Sequence, residues 1–284
     1  MLRSTELKKI NSDFSPSLFR DSRNLISAEC LAIVIALASQ VVLTRSISQE
    51  EYGAWIIIFD LSMVSFMFLD PGISTIVGRE IQDELQSVRK VLTSTLIIQL
   101  TISLALLPFV VLIPLDLLTN GYNIPDVTSL LLCGAAFMFC FSSSHKAFLR
   151  TLGRSDIEAK IRVLDRLTLF VGYVFLWRTG GSVYDFSLTI FVIQAVTLSV
   201  IIFNCFSICK KIEDSFGKSQ SGANFNPVSM IKRALPFFLF MAMMQVADRT
   251  DKIFLALSVS PEDIATYGVS LLVFFAGISV TRIL

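Results

Sequence analysis

Histidine is almost missing from this sequence: His145 is the only one in 284 residues. A metal centre built on clustered imidazoles is therefore excluded. Cysteine offers no substitute. Cys30, Cys133, Cys140, Cys205 and Cys209 sit in apolar runs with no CxxC pair, and they read as small buried side chains rather than a disulfide framework. There is no HExxH, no GxSxG and no pair of aspartates two residues apart, so the usual signatures of metalloprotease, hydrolase and sugar-nucleotide chemistry are absent. Gly217-Lys218-Ser219 matches the tail of a phosphate-binding loop, but the required leading glycine is Ile212. Charge is scarce too. Only 17% of residues are charged, against about 25% in an average soluble domain, and a net charge of +1 supplies no field for nucleic acid.

Apolar surface takes the place of what is missing. Hydrophobic residues make up 54% of the chain, and mean hydropathy is +0.70. A soluble fold of this length could not bury so much, so the bilayer is the expected solvent. A spanning helix needs about 20 mostly apolar residues. Seven such stretches run over 24–45, 52–77, 91–113, 127–149, 163–181, 186–209 and 233–257, and an eighth begins near Ile264 and stops at Leu284. The expected fold class is all-α, a polytopic transmembrane helix bundle. The first stretch is no cleaved signal peptide, since a polar segment precedes it and it is too long.

The loops carry an orientation. Arg3, Lys8, Lys9, Arg20 and Arg23 precede the first span, and Arg79, Arg89 and Lys90 fall in the second loop. Lys146, Arg150, Arg154, Lys160, Arg162 and Arg166 fall around the fourth, and Lys210, Lys211, Lys218, Lys232 and Arg233 around the sixth. The odd-numbered loops hold only Arg45 and Arg178. Because cytoplasmic loops hold excess Lys and Arg, the N-terminus is expected in the cytoplasm. The Gly-, Ser- and Asn-containing stretch 210–232 reads as a flexible cytoplasmic linker. It divides a cytoplasmic N-terminal segment (1–23) and a six-helix N-lobe (24–209) from the first helices of an incomplete C-lobe (233–284).

A repeat links the two lobes. Ser48 and Glu51 form an S-x-x-E capping pattern before Tyr52-Gly53, and Ser260 and Asp263 form the related S-x-x-D before Tyr267-Gly268. Pro261 occupies the first helical position, where its missing N–H costs nothing. Both segments turn at the same face, so the repeat is parallel rather than inverted.

Charges inside spans are expensive, about 2.5–3.5 kcal/mol each near the bilayer centre. Span seven carries Asp248, Arg249, Asp251 and Lys252. At helical spacing Gln245, Asp248, Asp251 and Lys252 share one face, with Arg249 about 60° beyond. They either neutralise one another against a neighbouring helix or form the polar wall of a water-filled cavity. Asp60 in span two pairs with Arg249 or Lys252, binds a coupling cation, or is simply satisfied. Pro71-Gly72 in Asp70-Pro71-Gly72 frees carbonyls and acts as a hinge, which is tolerated where backbone lines a cavity. Asp165, Arg166 and Glu29 are expected at the interface. The cation beside Asp248 and Asp251 argues against a divalent metal, and no cofactor is indicated. Loops this short do not hold an enzyme.

Three stretches resemble the polysaccharide biosynthesis proteins, the lipid-linked oligosaccharide flippases of the multidrug/oligosaccharidyl-lipid/polysaccharide exporter superfamily: residues 43–80 with Arg45, Tyr52 and Gly53 at the turn, 148–166, and 234–270 with Asp251 and Lys252. The resemblance implies a transporter of the bacterial inner membrane working by alternating access. Its substrate would be an undecaprenyl-pyrophosphate-linked repeat unit for O-antigen, capsule or exopolysaccharide, and its partners membrane lipid and glycan polymerases or other assembly proteins. Arg249 and Lys252 are then candidates for the pyrophosphate, with Asp248, Asp251, Gln245 and Asp60 in the same cavity. Two other readings remain: a cation-coupled multidrug exporter, and an inactive fragment or non-transporting subunit. Since the second lobe stops within span eight, a C-terminal truncation or completion by partner subunits is expected. Orientation is testable in intact cells. A membrane-impermeant maleimide should label Glu50→Cys and not Lys218→Cys in a background lacking the native cysteines; the reverse pattern would invert the topology.

Overall fold

In a computed structural model the described residues are 18–66, 70, 74, 88–119, 125–216, 227–256 and 258–283. They form eight helices: α1 (Leu18–Ser46), α2 (Gln49–Phe66), α3 (Val88–Thr119), α4 (Asp126–Thr151), α5 (Ser155–Thr179), α6 (Val183–Phe216), α7 (Pro227–Ala256) and α8 (Pro261–Ile283). No strand occurs among the described residues. Each expected span corresponds to a helix over its described residues, the second only as far as Phe66 with the rest of 52–77 largely outside the described residues, and four segments, Ile26–Ser46, Val88–Ala105, Asp126–Thr151 and Val183–Asp214, are long and apolar enough to cross a membrane. The chain is a multi-pass membrane protein.

Polarity is distributed accordingly. Val34, Val171, Phe175 and Phe203 point outward, Phe203 with 71% of its surface exposed, whereas Ser39, Gln99, Ser144, His145, Glu158, Gln194 and Thr197 are buried. In hydrocarbon an unpaired polar group costs several kcal/mol, so polar side chains turn inward or back onto their own helix. Ser39, Ser62 and Ser103 donate to carbonyls four residues earlier at 2.8, 2.6 and 2.6 Å.

Helix boundaries shift the picture at two places. α5 begins at Ser155 rather than near residue 163, leaving only Leu152-Gly153-Arg154 between α4 and α5. Gly153 takes φ 68°, and the Gly153 and Arg154 N–H groups cap α4 by donating to Arg150 O and Leu149 O, each at 3.0 Å. α6 runs to Phe216 and α7 starts at Pro227, so helix occupies both ends of the expected linker.

α1 lies along α5, α4 along α6, and α2 is clasped between α4 and α8. Both turns of the repeat form their caps. Ser48 N–H and Oγ donate to Glu51 Oε2 at 2.9 Å while Ser48 Oγ accepts from Glu51 N–H at 3.2 Å. Ser260 Oγ donates to Asp263 Oδ2 at 3.0 Å and accepts from Asp263 N–H at 3.3 Å. The turns then meet. A Cβ on Gly53 would lie 1.9 Å from Pro261 O, and one on Gly268 would lie 2.5 Å from Ile56 Cδ1. Gln49 Nε2 completes the junction, donating to Glu262 O at 3.0 Å and Thr266 Oγ1 at 2.9 Å. The two glycines of the Tyr-Gly repeat thus bring α2 and α8 to near-backbone contact.

Gly53→Ala should separate α2 from α8, since the obstacle is backbone rather than a flexible side chain. The expected loss is about 1–3 kcal/mol, the scale of overpacking, read as a lower midpoint of denaturation in micelles. An unchanged midpoint would mean that the approach is not a constraint.

Candidate functional site

Two adjoining cavities open between the helices of the α1–α6 unit. The first, of about 320 Å³, has aromatic walls: Tyr52, Trp55 and Phe59 from α2, Phe139 from α4 and Tyr173 from α5. Its polar lining is Gln40 from α1, Asp60 from α2, Arg166 from α5 and Gln194 from α6, and α8 closes one side with Gly268, Leu271 and Leu272. The helical period explains the wall, since positions 52, 55, 56, 59, 60 and 63 fall on one stripe of α2. Tyr52 donates to Gln40 Oε1 at 3.2 Å, and Trp55 stacks on Phe59 with centroids 5.4 Å apart.

The second cavity, of about 330 Å³, is lined by Lys146 and Arg150 of α4, Arg162, Asp165 and Arg166 of α5, Glu29 of α1, and Ser143 and Thr197. Arg166 and Phe139 border both cavities. The early start of α5 is what builds this site. Asp165 and Arg166 lie roughly three turns into the helix, and Asp165 accepts from Thr197 Oγ1 at 2.8 Å and Gln194 Nε2 at 3.1 Å. Glu29, also expected at the interface, forms an ion pair with Arg162 at the cavity wall.

An ion cluster anchors the floor. Glu158 is 2% exposed and lies between Arg150 Nε at 2.9 Å and Arg162 at 2.8 Å. Its Ser155-x-x-Glu158 pattern reads as a capping box but makes none, because Glu158 is spent on the two arginines. Lys146 and Arg166 differ from those arginines. Among the described residues neither forms an ion pair; the Lys146 ammonium lies 4.9 Å from the Phe139 ring centroid. Four cations against two carboxylates line the cavity, and of the two without an ion pair Arg166 stands at its junction with the aromatic cavity. Such an arrangement favours an anion with several acceptor oxygens.

Of the site residues expected from sequence, Asp60 is in the aromatic cavity. Asp251 accepts from Tyr267 Oη, the counterpart of the Tyr52–Gln40 bond. Gln245, Asp248, Arg249 and Lys252 lie on α7, but their side chains are outside the described residues, as are Pro71 and Gly72. Asp70 is described: its carboxylate accepts from Ser74 N–H at 3.0 Å and from Ser143 Oγ at 3.3 Å. Sequence reasoning counted Lys146, Arg150, Arg162 and Arg166 as loop charges. Their i, i+4 spacing on either side of Gly153 was the missed signal, since it sets two cations on one face of each helix. Among the described residues no group of His, Cys, Asp and Glu could hold a metal ion.

The family described as polysaccharide biosynthesis protein matches residues 19–272, so the chain belongs to that family. No curated protein and no solved structure matches the chain.

The ion cluster predicts a ranking. Arg162→Met leaves Glu29 without its ion-pair partner and Glu158 with Arg150 alone, at a cost of about 1–3 kcal/mol for stranded buried polar groups. Arg150→Met should cost less, because half of the Arg150 side chain is already exposed. Equal unfolding midpoints for the two variants would refute the assignment of Arg162 as the organising cation.

Proposed function

From its membership of the polysaccharide biosynthesis protein family, we propose that the chain is a lipid-linked oligosaccharide flippase and not an enzyme. It moves a polyprenyl-diphosphate-linked repeat unit from the inner to the outer leaflet of a bacterial inner membrane, with its N-terminus in the cytoplasm. The observation that carries this reading is the cationic cavity with two cations that form no ion pair among the described residues, Lys146 inside it and Arg166 where it meets the aromatic cavity. The diphosphate is the part of such a substrate that the membrane opposes most strongly, because an anion in low dielectric needs countercharge. Arg offers it a bidentate fork and Lys a mobile point charge. The basic end of the bundle, with Lys146, Arg150 and Arg162, admits the headgroup, and the α2–α8 junction closes the opposite end. Arg249 and Lys252 on α7 are further candidates from the sequence for the same anion. Asp248, Asp251 and Gln245 are candidates for the same transport path, and Pro71-Gly72 for its hinge. An exporter of cationic drugs would require an acidic cavity; the cation excess opposes that reading, although Asp60 is available for it.

Deletion of the gene should make lipid-linked repeat units accumulate in the inner membrane, measured by mass spectrometry. Re-expression should clear them. Lys146→Ala and Arg166→Ala should each slow clearance about tenfold or more, since a hydrogen bond to a charged group contributes about 1.5–3 kcal/mol. Arg249→Ala and Lys252→Ala should act in the same direction. Absence of accumulation in the deletion strain would end the flippase reading. Full clearance by both Lys146→Ala and Arg166→Ala would remove these two residues from it.

A further inference from the structure

We propose that Asp165 is the resident countercharge of the cationic cavity, a carboxylate held apart from Lys146 and Arg166 so that an incoming diphosphate is bound and still released; this role deepens the flippase reading above and rests on it. The charges around the cavity divide into two sets. Arg150 and Arg162 are matched by Glu158 and Glu29. That leaves Lys146 and Arg166 against Asp165 among the described residues lining it. Asp165 forms no ion pair among the described residues, so it offsets the two cations from a distance rather than in contact. Of the charged groups acting on the Lys146 ammonium, it acts most strongly, ahead of Arg166, Glu158 and Arg150.

α6 holds Asp165 in place. Thr197 Oγ1 donates to Asp165 Oδ1 at 2.8 Å, and Gln194 Nε2 donates to Oδ1 at 3.1 Å and Oδ2 at 3.4 Å. Thr197 and Gln194 are themselves buried, at 8% and 4% exposed, and their spacing of three residues sets them on one face of α6. Both donors are neutral, so they fix the carboxylate without cancelling its charge. A carboxylate that closed an ion pair with Lys146 or Arg166 would remove that cation from an anion's reach. Tethered to α6, Asp165 instead halves the excess charge and leaves both cations able to bond an anion. A transport site must be favourable enough to enter and weak enough to leave. Two uncompensated cations in low dielectric would retain a diphosphate; a single net charge lets it go.

The experiment measures binding of inorganic pyrophosphate and of farnesyl diphosphate to the chain in nanodiscs by isothermal titration calorimetry, and clearance of lipid-linked repeat units on re-expression in the deletion strain. Asp165→Asn keeps an acceptor for Thr197 and removes the charge. It should tighten both ligands about fivefold or more and slow clearance by about the same factor. Thr197→Val releases the carboxylate to close on a cation, and should weaken both ligands about threefold or more. Asp165→Glu, which keeps the charge, should bind within about twofold of the unaltered chain. A merely structural role would weaken binding in Asp165→Asn and Thr197→Val alike, so the opposite signs decide. Circular dichroism checks that each variant keeps its helices; if Asp165→Asn loses them, the weakening in Thr197→Val set against retained binding in Asp165→Glu decides instead. Unchanged or weaker binding in a folded Asp165→Asn, or no binding of either ligand to the unaltered chain, overturns the role of Asp165. If repeat units still accumulate in the deletion strain and clear on re-expression, the flippase reading stands without it. Opposite signs with no accumulation leave Asp165 as the countercharge of an anion site and remove the flippase reading.

Discussion

Glu158 is a nearly inaccessible carboxylate held by Arg150 from α4 and Arg162 from its own helix, while Arg162 also pairs with Glu29 of α1. Three helices meet at this cluster. A carboxylate as buried as Glu158 would be untenable there without its arginines. Once the cluster is closed, its positions fix everything one turn further in. Lys146 is one turn from Arg150 on α4, and Arg166 is one turn from Arg162 on α5. The cluster thus neutralises the outer pair of cations and sets the inner pair in the cationic cavity, Arg166 at the wall it shares with the aromatic one. The excess charge of the site is a product of this geometry, not of the number of basic residues in the segment.

Much of the fold was legible because the bilayer writes it in plain terms. Runs of about 20 apolar residues have one stable outcome in lipid, and the expected spans are helical over their described residues. The two capping patterns formed as read, since a Ser and an acid three residues apart at a turn are geometrically sufficient. Boundaries were less legible where charge continued a helix. The segment from Ser155 to Arg162 carries Asp156, Glu158, Lys160 and Arg162, and hydropathy alone places it in a loop. Glu158 and Arg162 are instead paired across helices, which hydropathy cannot register. The cavity that these helices enclose leaves no trace in hydropathy either.

The site was legible in kind rather than in place. Asp60 lines the aromatic cavity. The cation lining that cavity among the described residues, Arg166, comes from α5 and had been counted as a loop charge. Burying an arginine on α5 needs a neighbour from α1 or α6, and such long-range pairings leave no local trace in sequence. Trp55 and Tyr173 were equally invisible. An aromatic at helical spacing reads as core, and only the packing of the folded chain shows that these two also line a cavity.

The repeat shows how shape and chemistry separate within one chain. Tyr52 reaches back to Gln40 on α1, and Tyr267 reaches back to Asp251 on α7. Each tyrosine is followed by a glycine that admits the other repeat's helix. The contacts that set this geometry involve backbone and a glycine, so they place no demand on the polar residue at the end of the tyrosine's reach. A neutral carboxamide serves on α1, which faces an aromatic cavity. A carboxylate serves on α7, which carries Arg249 and Lys252 within one turn. The turn conserves the angle between helices while leaving the charge of each half free to differ. A transporter whose two sides must recognise different parts of one amphipathic molecule requires that freedom.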